Sequence, residues 1–96
     1  YNSYLSAESE YKKLVDNYYQ LLLSKLNDTD KAILQQSQNS WMQHYNSELN
    51  LNNTVSKDEY TGGGNMQGIF AAYSVYDFTK FRAIRLYRYI SRMFNI

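Results

Sequence analysis

The residues best suited to chemistry share one predicted helix, where Ser40, His44 and Glu48 follow one another at steps of four. A hydroxyl, an imidazole and a carboxylate are the groups that nucleophilic hydrolysis combines. Side chains four residues apart stand in a row along a helix, whereas a catalytic triad needs its members to converge. His44 is also the only histidine, and cysteine is absent, so a metal site lacks ligands. We therefore expect no enzymatic activity, no bound metal and no cofactor.

A cluster of glycines marks the irregular stretch of the chain. All four glycines fall between Gly62 and Gly68, and three of them are consecutive. No strand is predicted before them and no Lys-Ser or Lys-Thr pair follows, so a phosphate-binding loop is not indicated. Consecutive glycines disfavour a helix because they lose much backbone entropy when ordered. The sequence predicts a long loop from Asn52 to Gln67, with Gly63 and Gly64 near its centre.

Two charged residues, Glu48 and Arg82, occupy helical positions where an apolar side chain is expected. Because a charge inside a protein must be paired, we expect these two residues to pair across the interior. The expected polar network consists of Gln38, Trp41, Glu48, Thr79 and Arg82. The alternative is that these residues line a pocket or a recognition site.

A second group of charges lies along the last predicted helix, where basic residues alternate with aromatic ones. Its members are Lys80, Phe81, Arg85, Tyr87, Arg88, Tyr89 and Arg92. Such alternation is found in nucleic-acid contacts. The whole chain, however, carries a net charge of only +1, and the helix dipole also favours cations near a C-terminus. A solvated face is therefore the favoured interpretation, and no nucleic-acid partner is expected.

These residues must be positioned by helices, since apolar side chains recur with helical spacing at about 6–26, 27–52 and 66–93. The short first break predicts an antiparallel pair, with Asn27 accepting a bond from a backbone N–H near Asp30. The apolar stripe of the third helix consists of Ala71, Val75, Phe78, Leu86, Tyr89 and Met93, with Thr79 and Arg82 in its middle. The predicted fold is one all-α domain over residues 1–96: an antiparallel three-helix bundle with a long glycine-rich loop between its second and third helices.

The composition fits one small domain. The chain has 96 residues, no proline and eleven tyrosines, whose hydroxyls are expected at the rim of the core.

Residues 1–60 hold eight acidic and five basic side chains, whereas residues 61–96 hold one acidic and five basic side chains. The two parts should therefore attract each other when they pack together. The uncharged run from Tyr60 to Tyr76 is too polar to span a bilayer, so no membrane span is expected.

Four motifs follow one another along the chain: YQLLLSKL, LQQSQNSWMQHYNSEL, GGGNM and TKFR. In this order they resemble the small bacterial domain family named after the lysozyme inhibitor LprI, over about residues 14–86. The family hallmarks fall on Tyr19, Leu22, Leu26, Leu34, Gln38, Trp41, Glu48, Gly63, Gly64, Thr79, Arg82 and Leu86.

Two departures from the family pattern concern a pair of cysteines. The positions at which the family carries them are Leu49 and Ser74 here. Both cysteines are missing together, as the loss of a disulfide between the second and third helices would leave them. The family's basic residue after the aromatic of the second helix is Tyr45 here. These changes bear on any shared binding surface rather than on the fold.

The resemblance implies a secreted or periplasmic bacterial protein that binds another protein, with a c-type lysozyme as the candidate partner. Within the loop we expect the contact at Lys57, Asp58, Glu59 and Tyr60, because loops on rigid scaffolds often carry recognition and tyrosine is enriched at hot spots. An unstructured loop without a binding role is the plainer alternative. A different class of function is a structural module of the cell envelope that self-associates or docks on a larger assembly through residues 87–94.

Overall fold

The computed structural model describes residues 2–64 and 66–95 of the chain. Four helices occur within them: α1 (Asn2–Lys25), α2 (Asp28–Val55), α3 (Asp58–Thr61) and α4 (Met66–Phe94). These residues contain no strand, so the prediction of an all-α fold is confirmed. The number of helices differs from the prediction, because α3 forms a single turn inside the stretch expected to be a loop.

The beginning of α2 follows from its sequence. The side chain of Asn27 accepts a hydrogen bond from the backbone N–H of Asp30 at 2.9 Å, as predicted. Asp28 and Asp30 place negative charge in the first turn, where it interacts favourably with the helix dipole. Only Leu26 and Asn27 separate α1 from α2, so the two helices run in opposite directions.

The loop predicted from Asn52 to Gln67 is shorter than expected, because α2 continues to Val55. The last turns of α2 contain the turn-forming residue Asn52, whose side chain bonds to α4, and the helix ends at its C-cap Ser56. The Ser56 hydroxyl donates to the Asn52 carbonyl at 2.8 Å, and the Asn52 amide donates to the carbonyl of Ala71 on α4 at 3.0 Å. Polar side chains satisfied in this way no longer compete with the helical backbone.

Consecutive glycines connect α3 to the region before α4. Gly62 ends α3 with a φ of 77°, and its backbone N–H donates to the carbonyl of Asp58 at 2.8 Å. Gly63 and Gly64 follow with φ values of 81° and 111°. A residue with a Cβ is strained in such conformations, so the turn requires glycine at these positions.

Helices α1 and α4 run parallel and approach each other closely along their lengths. The Tyr4 ring lies 5.2 Å from that of Tyr73, and the Tyr18 ring lies 5.8 Å from that of Tyr87. Both pairs advance along the two helices in the same direction. The small side chain of Ala83 is buried between the helices and permits the close approach.

The buried face of α4 lies beside the predicted one. It consists of Ala72, Thr79, Ala83, Leu86 and Ile90. Phe78, which was assigned to the predicted stripe, stacks instead on Trp41 of α2 with ring centroids 5.8 Å apart. Helix α4 is therefore apolar on two faces, because it contacts α1 on one side and α2 on the other. The apolar core that results contains Val15, Leu22, Leu34, Ala83, Leu86 and Ile90.

The molecule is elongated, with extents of 51 × 23 × 16 Å. Because α2 runs opposite to α1 and α4, the glycine turn lies at the end where α1 begins. The last turn of α4 lies at the other end, beside the start of α2. None of the helices in the described residues combines the length and the apolar character that crossing a membrane requires.

Candidate partner-binding surfaces

The residues predicted to contact a partner form α3 and the position before it. The backbone carbonyl of Lys57 accepts bonds from the N–H groups of Tyr60 and Thr61 at 3.0 and 3.1 Å. Asp58 and Glu59 occupy the first turn of α3. All of the predicted contact residues are exposed, and Tyr60 keeps 68% of its surface accessible. A hydrogen-bonded turn thus presents two carboxylates and one aromatic ring to solvent.

Exposed apolar side chains lie at the same end of the bundle, on the last turns of α2 and the first turns of α4. We call this surface the acidic end, and its members are Leu51, Val55, Asp58, Glu59, Tyr60, Met66 and Phe70. The bond between Asn52 and Ala71 holds the two helix ends together. Single exposed apolar residues are normal, but several of them at one end of a small domain indicate a contact surface.

The buried acid of the bundle is Glu8 on α1. Its Oε1 accepts hydrogen bonds from the hydroxyls of Tyr45 at 2.9 Å and Thr79 at 3.3 Å. The same oxygen lies 3.3 Å from Nζ of Lys12. We call these four residues the Glu8 cluster. They come from α1, α2 and α4, so one carboxylate oxygen joins the three long helices.

The Glu8 cluster changes the proton affinities of its members. Burial raises the pKa of the Tyr45 hydroxyl, because it disfavours the phenolate, and the hydrogen bond to Glu8 raises that pKa further. Burial by itself lowers the pKa of Lys12, but the bond to Tyr45 and the attraction of Glu8 outweigh it, so this pKa is also raised. Tyr45 and Lys12 therefore hold their protons more firmly than free side chains do.

Arg82 on α4 bonds to polar but uncharged groups of α2. Its Nε and Nη2 donate to Oε1 of Gln38 at 3.1 and 2.9 Å, and Nη2 also reaches Oγ of Ser37 at 3.3 Å. The guanidinium carbon lies 5.8 Å from the centre of the Trp41 ring. We call these residues the Arg82 cluster. The structure thus brings together Gln38, Trp41 and Arg82 of the predicted network.

The predicted ion pair between Glu48 and Arg82 is not formed. Gln38 lies level with Arg82, and Glu48 is ten residues further along α2, which places it about 15 Å away at a rise of 1.5 Å per residue. The Glu48 side chain is exposed and lines a groove beside Asn52. Thr79, also assigned to this network, is fully buried but donates to Glu8 instead.

A groove between α2 and α4 contains part of the basic face predicted on the last helix. We call it the arginine groove, and its lining includes Trp41, His44, Tyr73, Asp77, Phe78, Phe81, Arg82, Arg85 and Arg88. The other basic residues of that face engage neighbouring rings. Nζ of Lys80 donates to the Tyr76 hydroxyl at 3.4 Å, and the Arg92 guanidinium lies over the Tyr89 ring. The predicted basic face is therefore divided between residues that line the arginine groove and residues that contact tyrosine rings outside it.

The positions at which the resemblance places cysteines, Leu49 and Ser74, line one narrow groove between α2 and α4. Cysteines at these two positions would lie on the two helices that border this groove. Here Leu49 is half-buried, and the Ser74 hydroxyl donates to the carbonyl of Phe70 at 3.1 Å. Non-covalent contacts alone connect the helices at this position.

The residues considered for catalysis do not converge. Ser40, His44 and Glu48 are exposed on one helix, and the His44 ring packs against Phe78 with centroids 5.1 Å apart. Within residues 2–64 and 66–95, no group of three or more histidine or carboxylate side chains is placed to hold a metal ion.

Sequence reasoning missed Glu8 and Ser37. Glu8 had a detectable signal, because Tyr4, Glu8, Tyr11 and Val15 follow one another at steps of four, three and four along one face of α1. The apolar face predicted for this helix begins only at Tyr11, so Glu8 was not included in it. Ser37 carried no signal, since α2 contains many polar residues of equal standing.

Comparison with protein families gives a match to a family model described as Lysozyme inhibitor LprI, over residues 3–86. The matched segment contains α2 and α3 and most of α1 and α4. Comparison with curated proteins found no match, and neither did comparison with solved structures.

Proposed function

This chain belongs to the lysozyme inhibitor LprI family, and from that premise we propose that it is a non-enzymatic protein-binding domain that inhibits a lysozyme through its acidic end. The observation that supports the proposal most strongly is the exposure of Tyr60 next to two carboxylates on a hydrogen-bonded turn. The partner we propose is a c-type lysozyme. The location we propose is the periplasm or the exterior of a bacterial cell, where a lysozyme meets the cell wall.

The chemistry of the acidic end supports a basic protein partner. Asp58 and Glu59 are exposed there, with Lys57 as the neighbouring cation. Lysozymes are commonly basic, and complementary charge accelerates the encounter of two proteins and orients them. Tyr60 and the half-exposed Phe70 would then provide apolar area for the centre of the contact.

Inhibition of a c-type lysozyme acting on bacterial cell walls tests this proposal. We expect saturable inhibition by the unmodified protein. Tyr60→Ala should weaken inhibition by about tenfold or more, the size of a modest hot spot. Combined substitution of Asp58→Asn and Glu59→Gln should weaken it mainly by slowing association, and that effect should shrink as salt is added.

A charge-matched control separates local contact from general electrostatics. Glu10→Gln with Asp16→Asn removes the same charge from exposed positions on α1. This variant should inhibit as well as the unmodified protein. Equal losses in the two double variants, or full inhibition by Tyr60→Ala, would remove the acidic end as the contact site.

A second candidate function is self-association as a structural module of the cell envelope. Half-exposed apolar side chains at the end of α4 favour it, among them Tyr87 and Met93, with Ile33 of α2 nearby. Sedimentation over a wide range of protein concentrations distinguishes the two candidates. A monomer at all concentrations argues against self-association and leaves the inhibitor proposal unaffected.

A further inference from the structure

We propose that the arginine groove is a second interaction surface, which binds an acidic segment of a partner protein. The proposal concerns a different face from the acidic end, and it does not depend on lysozyme inhibition. Three observations support it: the lack of a counter-charge for Arg82, the row of arginines beside it, and the exposed aromatic wall of the groove.

Arg82 is a half-buried cation whose contacts are all with neutral groups. Its hydrogen-bond partners are an amide and a hydroxyl, and its stacking partner is an indole ring. In the part of the chain that the structure describes, both ion pairs lie on α1 and neither involves Arg82. Burial lowers the pKa of Arg82, the nearby Tyr89 raises it by less, and repulsion from Arg85 lowers it further. A partly desolvated charge in this situation gains strongly from an anion.

The arrangement of the arginines suits carboxylates. Arg82, Arg85 and Arg88 recur at steps of three along α4 and line the same groove. Arg85 and Arg88 are exposed, and Nη1 of Arg82 donates to no described residue. Planar guanidinium groups bind carboxylates through two parallel hydrogen bonds. Successive acidic side chains of an extended or helical segment can therefore meet successive arginines.

The aromatic wall indicates a protein segment with an apolar side chain among its acids. Phe81 is 62% exposed although it stands between the arginines and Asp77 in the groove lining. Trp41 and Phe78, which line the same groove, form a stacked pair. Burial of one apolar side chain against these rings would exclude water from the neighbouring charge contacts and strengthen them.

The same groove suits a nucleic acid less well. Asp77 lies in its lining and would repel phosphates. Lys80 and Arg92, which would extend a phosphate track along α4, are engaged with tyrosine rings outside it. Non-specific nucleic-acid binding needs many phosphate contacts, whereas this groove offers three arginines. An acidic protein segment is the better match.

The two surfaces have opposite character, so they select different partners. A basic protein is attracted to the acidic end and repelled from the arginine groove. An acidic protein has the reverse preference. The two surfaces are adjacent on α4, because Phe70 of the acidic end and Tyr73 of the arginine groove are one helical turn apart.

Binding of a capped synthetic peptide, in which a phenylalanine stands between glutamates, tests the proposal. Calorimetry or the fluorescence of Trp41 reports the binding, and the matched control peptide has glutamines in place of the glutamates. We expect saturable binding of the acidic peptide and none of the control. Arg85→Gln with Arg88→Gln should raise the Kd by about tenfold or more.

Two further variants make the test specific. Gln38→Glu supplies Arg82 with a carboxylate from within the chain. This variant should also weaken binding of the acidic peptide, although every arginine remains. Lys13→Gln with Lys25→Gln removes the same charge as the double arginine variant from exposed positions outside the groove, and it should bind normally. These results together would support the proposal.

Other outcomes would overturn it. No binding of the acidic peptide, or equal binding by the arginine and lysine variants, would show that the groove does not recognise acids. Tighter binding of a single-stranded oligonucleotide at the same sites would assign the groove to nucleic acid. Concentration-dependent dimerisation that the peptide reverses would make a second copy of this chain the occupant. Because none of these experiments contains a lysozyme, their failure leaves the proposed inhibition untouched.

Discussion

Glu8 and Arg82 are both charged residues drawn into the interior of the same bundle, but their surroundings differ. The Glu8 carboxylate accepts hydrogen bonds from hydroxyls of α2 and α4 and pairs with the Lys12 ammonium group of α1. Arg82 contacts an amide, a hydroxyl and an indole ring of α2 alone. The charge of Glu8 is therefore paired with a cation and with hydrogen-bond donors of the same chain. The charge of Arg82 has hydrogen-bond partners in the chain, but they are neutral.

Burial of a charge does not by itself assign its role in this bundle. A charge with all its partners inside the chain acts on stability, because its removal leaves several elements disconnected. A half-buried charge with neutral partners stays available to a charged ligand, because it would be stabilised most by an ion pair and has none within the chain. The Glu8 cluster is thus a structural junction and the Arg82 cluster is a candidate binding element.

The largest effect is expected from Glu8→Ala. It removes the acceptor shared by Tyr45, Thr79 and Lys12, and we expect the free energy of unfolding to fall by about 3 kcal/mol. For a domain of this size, that corresponds to a melting temperature lower by about 12 °C or more. Thermal unfolding measures the change. The control is Glu10→Ala, which removes an exposed acid of the same helix and should change the free energy of unfolding by no more than about 0.5 kcal/mol. Similar losses in both variants would contradict the structural role of the Glu8 cluster.

A smaller effect is expected from coupling between Gln38 and Arg82. In a double-mutant cycle with Gln38→Leu and Arg82→Met, the double variant should be more stable than the sum of the single losses predicts, by about 1 kcal/mol. The matched cycle pairs Arg82→Met with Glu48→Gln, and its losses should add to within about 0.5 kcal/mol. Chemical denaturation gives both values. Coupling in the second cycle would mean that Glu48 and Arg82 form the ion pair that the sequence predicted.

The smallest effect is a pH dependence of the free energy of unfolding to which the Glu8 cluster should contribute. The pKa of Tyr45 is raised above 10.0 in the folded chain, first by burial and then by its bond to Glu8. A raised pKa contributes stability below the unfolded value, and that contribution is lost as pH rises through the folded pKa. The free energy of unfolding should therefore fall above about pH 10, and fall less in Tyr45→Phe. Tyr60→Phe is the exposed control and should keep the full slope.

Much of the fold could be predicted from the sequence, because helical spacing and capping are local properties. The apolar repeats indicated the long helices, and the amide of Asn27 marked the beginning of α2. The end of α2 was predicted too early, because the run from Leu49 to Thr54 loses apolar periodicity and gains turn-forming residues. The helix continues to Val55 with the Asn52 amide bonded to the carbonyl of Ala71 on α4, a contact between helices that no local pattern shows.

The polar interior was predicted less well, because pairing between helices depends on their register. Gln38 and Arg82 were predicted in one network and are hydrogen-bonded to each other, whereas Glu48, the acid expected beside them, is exposed elsewhere on α2. The choice between Glu8 and Glu48 requires the level at which α1, α2 and α4 meet, and no local pattern in the chain gives that level. The Arg82 prediction also assumed that a buried cation must find an acid inside the same chain, and here it does not.

The most direct test of this account measures the stability of Gln38→Glu, which places a carboxylate where an amide oxygen now lies 2.9 Å from Nη2 of Arg82. If Arg82 lacks a counter-charge, the new ion pair should raise the free energy of unfolding at pH 7 by about 1 kcal/mol. The pKa of an acid paired in this way is lowered in the folded state, so the gain should be lost as pH falls below about 4. Unchanged or lower stability at pH 7 would mean that the charge of Arg82 is already compensated, and it would contradict the distinction between the two clusters.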